Sequence, residues 1–291
     1  MATEQSRQEF ERPDQLISER RIKQLISGTQ LVMTATLLLY IVVPVLWLVS
    51  SSLKPSSELF TQVPVLIPDT PTLENYVSLW NETRFPLYLR NSLIISIGVV
   101  VLTTVLSTLA GYGLARARFY GKHNTARSVL LTYMYPPILL AIPLYIFFIR
   151  LDLTNSYLSV ILAISGRALP FGIWVMWQQF QAIPPMYEES AWVDGASVSR
   201  TLFEIIIPMV LPAISAVMVF AFAVAWGEFT ISKVLITENT LYPITLGIES
   251  FTSATQILWS YVLTSSVITI VPGVLLVVFL QKYLLKGFGN V

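Results

Sequence analysis

The sequence predicts an all-α membrane protein with six transmembrane helices. Its 291 residues are 54% hydrophobic and only 12% charged, against about 25% charged in ordinary soluble domains. Five stretches carry no charge over the roughly 20 residues that a helix needs to cross a bilayer core, and a sixth is interrupted only by Arg167. The stretches are 24–53, 91–115, 128–149, 153–187, 205–227 and 250–281. Because they are continuous rather than alternating, they indicate helices and not barrel strands.

The distribution of lysine and arginine predicts that both ends of the chain are cytoplasmic. Basic residues concentrate before the first span, between spans two and three, and after span six, as in short cytoplasmic connections of membrane proteins. We therefore expect a cytoplasmic tail at 1–28, a six-span domain at 29–286 and a second cytoplasmic tail at 287–291. The first span is too long for a cleaved signal peptide, so we expect it to be retained.

The first external loop, at 52–89, is predicted to form an ordered cap with short helical turns. Proline and aromatic residues are frequent there: Pro55, Pro64, Pro68, Pro71, Pro86, Tyr76 and Trp80. Proline at this density discourages long helices. A plain tether is the weaker alternative, because about 38 residues exceed what joining two helices requires.

A polar segment at 181–207 separates spans four and five and is expected on the cytoplasmic side. Pro184 and Pro185 can begin a helix that covers 186–194, because proline suits the first helical turn. Gly195 is a suitable C-terminal cap for that helix. A second helix is expected to begin near Ser197 and to run toward Pro208.

The same segment is acidic, which favours a basic partner over a membrane surface. Its charged residues are Glu188, Glu189, Asp194 and Glu204, against Arg200. Helices that lie in the headgroup layer usually carry lysine and arginine on their polar face. Small residues one turn apart, such as Ala191 and Gly195, would let a partner approach closely. Glu189 lies at the start of the helix, where the dipole favours its charge.

Several classes of chemistry find no support in the sequence. A net charge of +1 argues against a nucleic-acid partner, and the absence of cysteine excludes disulfides and thiolate ligands. His123 is the only histidine and lies in a basic connection. The sequence contains no G-x4-G-K-[ST] loop for nucleotide phosphates, no metal-ligand cluster and no Ser/His/Asp set. We therefore expect no catalytic site, no metal and no bound cofactor, so the chain is not predicted to be an enzyme.

The acidic segment resembles a family signature. The pattern E-(A/S)-A-x3-G-x9-I-x-(L/I)-P occurs at Glu189, Ser190, Ala191, Gly195, Ile205, Ile207 and Pro208, and it is similar to that of membrane subunits of binding-protein-dependent ABC importers. Other stretches resemble the carbohydrate branch, in particular its maltose-type second permease subunit: 52–55, 71–76, 91–93 and 226–229. This chain departs from the family pattern in four respects. Ser190 replaces the usual alanine, Ile207 the usual leucine and Gly227 the usual asparagine, and the C-terminal tail is short.

The resemblance implies a set of partners and a role for the acidic segment. The chain would be one half of a heterodimeric pore in the lipid of a prokaryotic plasma membrane. Its partners would be a second permease subunit, two cytoplasmic ATPase subunits and an extracytoplasmic solute-binding protein. ATP and magnesium would be bound by the ATPase. The segment would hold a coupling helix that docks on the ATPase. The residues implied in coupling are Glu188, Glu189, Ser190, Ala191, Asp194, Gly195 and Pro208.

Four residues are candidates for the substrate pathway: Tyr133, Arg167, Trp226 and Glu228. Arg167 lies roughly 16 Å into span four at 1.5 Å per residue, near mid-membrane. It has either a structural role, in which it bonds helix-end carbonyls or a residue of the partner permease, or a role in lining the pathway. In the second case it favours an anionic or polyhydroxy solute. Counting a straight helix from Pro208 places Glu228 roughly 30 Å from the inner face, so no direct pair with Arg167 is expected.

The two aromatic candidates also leave alternatives open. Trp226 beside Glu228 resembles a sugar-recognition pair, but aromatic residues at a membrane interface commonly act as anchors. Tyr133, with Met134 and Tyr135, precedes two prolines and either lines a cavity or packs in the core.

Taken together, the sequence predicts a permease subunit of an ABC importer for a sugar or sugar-like solute. One alternative is an importer for glycerol-phosphate-type or other anionic solutes, which Arg167 would favour. Another is an ATP-independent secondary transporter, which would need intramembrane carboxylates for ion coupling. A membrane scaffold for a cytoplasmic enzyme would explain the acidic segment but not the external loop.

Overall fold

The computed structural model describes residues 13–59, 66–252 and 257–288, with side chains described between 28 and 282. Residues 1–12 and 289–291 of the two predicted tails, and 60–65 of the predicted external loop, lie outside the described residues. Within the described ranges the structure is helical, with one isolated bridge between Thr252 and Ile257 and no strand. The all-α prediction is therefore confirmed for this part of the chain.

The helices follow the order of the predicted spans and connections. They are α1 (Pro13–Ser52), α2 (Glu74–Glu82), α3 (Phe85–Arg116), α4 (Lys122–Thr132), α5 (Pro137–Arg150), α6 (Tyr157–Ala182), α7 (Met186–Val193), α8 (Val198–Met209), α9 (Leu211–Trp226), α10 (Thr230–Leu235), α11 (Ile244–Glu249) and α12 (Trp259–Phe288). The middle of α8, Thr201–Ile206, is wound as a π-helix.

Four of the described helices are long and apolar enough to cross a membrane: Gly28–Ser52 of α1, α3, α6 and Trp259–Lys282 of α12. Two further candidates are bent pairs. The axes of α4 and α5 meet at 93°, and those of α8 and α9 at 77°. By length and composition, the described residues thus hold four candidate spans, or six if each bent pair is one span.

Proline explains both bends. Pro136 is extended and Pro137 begins α5, so the chain cannot continue the helix of α4 through this point. At the second bend, Val210 leaves helical geometry and Pro212 occupies the first turn of α9, where its missing N–H costs nothing. Spans three and five, predicted as continuous runs, are broken for this reason.

The core of the fold is the contact between α3 and α6. The two helices run parallel, and small residues bring their backbones together. A Cβ atom added at Gly111 would lie 2.6 Å from Cβ of Met176, and one added at Gly172 would lie 3.0 Å from Cβ of Ser107. Helix α9 packs against the same pair, with Val217 reaching Gly172. Small residues at such interfaces allow the close approach on which packing within a membrane depends.

Helix α1 stands apart from this core. Its side chains from 28 to 47 are all exposed within the single chain, and the helix that it contacts most is α12. An apolar helix with no protein cover on most of its surface must face lipid or another chain.

The predicted external loop contains the short helical turns that the sequence predicted. A 3-10 turn covers Ser56–Glu58 and α2 follows it. The buried side chain of Asn75 ties α2 to the end of α1, because Nδ2 donates to the carbonyl oxygens of Ser52 at 3.0 Å and Lys54 at 2.8 Å. Leu79 and Phe85 are fully buried beneath this segment.

Candidate functional site

The acidic segment between α6 and α9 contains the short helix that the sequence predicted. Helix α7 begins after Pro185 and ends at Val193. Gly195 has φ of +85° and donates its N–H to Trp192 O at 3.0 Å, while Ala196 N–H bonds Ala191 O at 2.9 Å. These two bonds form a Schellman motif, for which glycine is the preferred residue. The predicted cap at Gly195 is confirmed.

The second predicted helix is also present. Helix α8 begins after Ser197, whose Oγ accepts the N–H of Arg200 at 3.3 Å as an N-terminal cap. It runs through Pro208 and ends at Met209, one residue before the bend. The exposed Pro208 therefore lies at the point where the segment turns into α9.

The predicted coupling residues divide into an outward-facing and an inward-facing group. Glu189, Ser190, Asp194 and Gly195 are exposed. Large apolar side chains share that surface, with Met186 62% and Val193 88% exposed. Ala191 is buried at 7%, so it packs against the rest of the chain rather than presenting a free small-residue surface.

Glu188 corrects a prediction, because it does not face a partner. Only 2% of the residue is exposed. Its Oε1 accepts Nε of Arg116 at 2.7 Å, and its Oε2 accepts the hydroxyl of Tyr112 at 3.4 Å. The reason lies in helical spacing: Glu188 and Ala191 are three residues apart and share the inner face of α7. Glu188 therefore holds α7 onto the end of α3.

Arg116, one of the basic residues between predicted spans two and three, joins three elements. Besides its bond to Glu188, it donates Nη1 to Phe180 O at 3.0 Å and Nη2 to Ile183 O at 3.2 Å. These carbonyls lie at the C-terminal end of α6, where cations are favoured. The sequence shows only that Arg116 lies in the last turn of its helix, and its carboxylate partner is 72 positions away.

Arg167 and Glu228 form a direct ion pair, against the prediction. Nη1 of Arg167 lies 2.7 Å from Oε2 of Glu228, with side chains 25% and 3% exposed. Oε1 of the same carboxylate accepts the N–H of Ile231 at 2.8 Å, and the Glu228 carbonyl accepts Thr245 Oγ1 at 2.8 Å. The pair therefore links α6 to the break between α9 and α10 and to α11.

The bend in span five explains why the predicted separation was wrong. The count from Pro208 assumes one straight helix up to Glu228, but the chain turns by 77° before α9 begins at Leu211. Helix α9 has only 16 residues and ends at Trp226, before Gly227. Glu228 therefore follows a short helix and lies within reach of the long arginine side chain.

The two aromatic candidates have structural partners. The ring of Tyr133 lies 6.0 Å from that of Phe171 and 5.8 Å from that of Phe220, which supports core packing. Trp226 donates Nε1 to Thr269 O at 3.0 Å and stacks on Phe222 at 5.2 Å. Its indole nitrogen is therefore bonded to α12.

A cavity of about 610 Å³ opens between α5 and α6. Tyr135 and Arg167 contribute to its wall, but Leu144, Phe147 and Leu162 make most of it apolar. Because Glu228 neutralises Arg167, the arginine gives this cavity no unpaired positive charge. Among the described residues, no group of three or more histidine, aspartate or glutamate side chains could hold a metal ion.

Comparison with known proteins identifies what the chain is similar to. Residues 105–289 match the family described as "Binding-protein-dependent transport system inner membrane component". The chain is 33% identical to the trehalose/maltose transport system permease protein MalG of Thermococcus litoralis, over 74% of this chain and 79% of that one. It is 27% identical to the inner membrane ABC transporter permease protein YcjP of Escherichia coli, over 87% and 91%.

A solved structure shows the same fold. The chain superposes on a subunit of a bacterial ABC transporter involved in the import of the acidic polysaccharide alginate, with a TM-score of 0.77. The match covers 90% of this chain and 98% of that one, at 18% sequence identity. At this identity the similarity establishes the architecture and not the solute.

Proposed function

Because the chain belongs to the binding-protein-dependent transport system inner membrane component family, it is a permease of an ABC importer, and we propose that it carries a sugar or sugar-like solute. The relatives that support this proposal include MalG and the diacetylchitobiose and arabinooligosaccharide permeases NgcG and AraQ. The chain would form half of the translocation pathway, with a second permease subunit forming the other half.

The proposed membrane arrangement counts each bent pair as one span. This gives six spans within 29–286, with tails at 1–28 and 287–291 in the cytoplasm. It also places the loop at 52–89 outside, where a solute-binding protein would deliver the solute, and the segment at 181–207 inside. The positions of lysine and arginine support this orientation.

We assign α7 as the coupling helix, which docks on one of two cytoplasmic ATPase subunits. Its outer surface combines exposed carboxylates with exposed apolar side chains, a composition that fits a protein groove with basic residues at its rim. Glu189 would pair with a basic residue of the ATPase, and Gly195 would fix where the helix ends. ATP and magnesium would be bound by the ATPase and not by this chain.

The ion pair weakens the case for an anionic solute. That alternative depended on an unpaired Arg167, and Glu228 neutralises the arginine at 2.7 Å. A neutral polyhydroxy solute requires no net charge in the pathway. The same pairing removes Glu228 as a free intramembrane carboxylate of the kind that a secondary transporter uses for ion coupling.

A charge reversal at Glu189 tests the coupling assignment. We expect Glu189→Arg to insert normally and to retain the second permease, but to lose the ATPase during purification from native membranes in mild detergent. Glu238→Arg is the matched control, because Glu238 is exposed and lies after α10, on the opposite side in the proposed topology. Mass spectrometry of co-purified proteins gives the result. An undiminished amount of ATPase with the Glu189 variant would contradict the docking assignment.

A further inference from the structure

Helices α3 and α6 keep one register from the outer to the inner end. At the outer end, the hydroxyl of Tyr157 donates to Oδ1 of Asn91, 66 positions earlier in the chain. At the inner end, Arg116 donates to Phe180 O, 64 positions later. Between the two ends, Gly111 and Gly172 bring the backbones into close contact. A helix pair held at both ends and closely packed between them resists sliding of one helix past the other.

The outer end is fixed by a buried amide. Asn91 is 0% exposed, and its Nδ2 donates to Thr240 O and Tyr242 O, each at 2.9 Å. With the bond from Tyr157, this side chain connects α3, α6 and the segment before α11. Buried and fully bonded side chains of this kind specify a unique arrangement.

The inner end is fixed by Arg116, which also binds α7. One guanidinium reaches Glu188 and the two carbonyls at the end of α6. The other connections of α7 lead less directly to α3 and α6. Pro184 and Pro185 separate α7 from α6, and the π-helical segment of α8, on which α7 packs, leads into the 77° bend. Displacement of α7 is thus transmitted to α3 and α6 most directly through Arg116.

We propose that Arg116 is a positioning residue for energy coupling, which makes α7, α3 and α6 move as one body. The inference rests on the proposed function, because it requires that an ATPase displaces α7. The two residues have different roles: Glu189 would contact the ATPase, and Arg116 would transmit the displacement of α7 to α3 and α6. A small shift at a docking element changes a distant region only when the structure between them moves as a unit.

A distance measurement between α7 and the outer end of α6 tests the inference. The chain has no cysteine, so two introduced cysteines can be spin-labelled without background. Tyr187 on α7 and Leu158 on α6 are 47% and 51% exposed and suit double electron–electron resonance. Tyr187 lies one turn from the buried Ala191, so a label there is kept away from the outer surface of α7 that would dock on the ATPase. The complex with its ATPase is measured without nucleotide and with ATP plus vanadate. We expect the two states to agree within about 2 Å, the scale of small helix shifts.

The decisive variant removes the connection without leaving a buried charge. Arg116→Met combined with Glu188→Met replaces the ion pair by apolar side chains, an exchange that is often near neutral for stability. We expect the label distance to change between the two nucleotide states by about 5 Å, or one helical turn, and hydrolysis to drive roughly tenfold less transport. Arg116→Lys, which keeps the charge but loses the planar fork, should give an intermediate change.

A matched control separates this role from general electrostatics. Arg200 and Glu204 form an exposed ion pair at 2.8 Å within α8, and Arg200→Met combined with Glu204→Met should leave the label distance unchanged. A double variant at Arg116 and Glu188 that keeps the parental distance in both states would overturn the inference. So would a parental distance that itself changes by about one helical turn. If the unmodified chain recruits no ATPase at all, the proposed function fails instead.

Discussion

Replacing Arg167 by methionine should destabilise the protein far more than replacing both members of its ion pair. The single change leaves the Glu228 carboxylate, whose side chain is 3% exposed, without its positive partner. The N–H of Ile231, at 2.8 Å, then remains as a donor to that carboxylate. An uncompensated buried charge of this kind costs about 3–5 kcal/mol.

The two single variants should not be equivalent. Glu228→Gln leaves the arginine charged, but the Arg167 side chain is 25% exposed and keeps partial access to water. We expect a cost of about 1–3 kcal/mol, the range for a polar group that loses one partner. Arg167→Met combined with Glu228→Met should recover most of the loss, because apolar replacement of a whole buried pair is often neutral.

Thermal unfolding of the purified complex in detergent measures this order. At about 2–4 °C per kcal/mol for a chain of this size, Arg167→Met should lower the midpoint by roughly 6–20 °C. Glu228→Gln should lower it by less, and the double variant should lie close to the unmodified protein. Equal midpoints for Arg167→Met and the double variant would refute the reasoning, since the cost would then not arise from an unpaired carboxylate.

Two further predictions concern glycines. Gly111→Ala should destabilise by about 1–3 kcal/mol through overpacking, because its Cβ would lie 2.9 Å from the backbone nitrogen of Trp177. Gly113→Ala in the same helix, with no atom within 4 Å, should be neutral or stabilising by about 0.5–1 kcal/mol; equal thermal midpoints would contradict the close-packing argument. Gly195→Ala should cost about 1–2 kcal/mol in the left-handed conformation and weaken ATPase co-purification, while Gly195→Asn should be milder. If Gly195→Ala changed neither the thermal midpoint nor the amount of co-purified ATPase, the cap would not constrain α7.

Local signals in the sequence were sufficient to predict α7 and its end. Proline before the helix and glycine after it act within a few residues, and the observed Schellman bonds at Gly195 confirm that prediction. The partner of Glu188 lies 72 positions away, and nothing within α7 indicates it. Whether a carboxylate on a two-turn helix faces a partner or the core depends on which residue of another helix lies beneath it.

The separation between Arg167 and Glu228 was mispredicted for a different reason, because the determining signal was present in the sequence. Hydropathy counts apolar residues and does not register direction, so a run interrupted by Pro208 and Pro212 was treated as one straight rod. Helix α9, Leu211–Trp226, covers about 24 Å at 1.5 Å per residue, which is less than a bilayer core. The depth of a charged residue beyond a proline-broken span is therefore better counted from Leu211, where the new helix begins, than from Pro208. Counted in this way, α9 ends before it has crossed a bilayer core, so Glu228 follows it at membrane depth, where Arg167 is the cation that pairs with it.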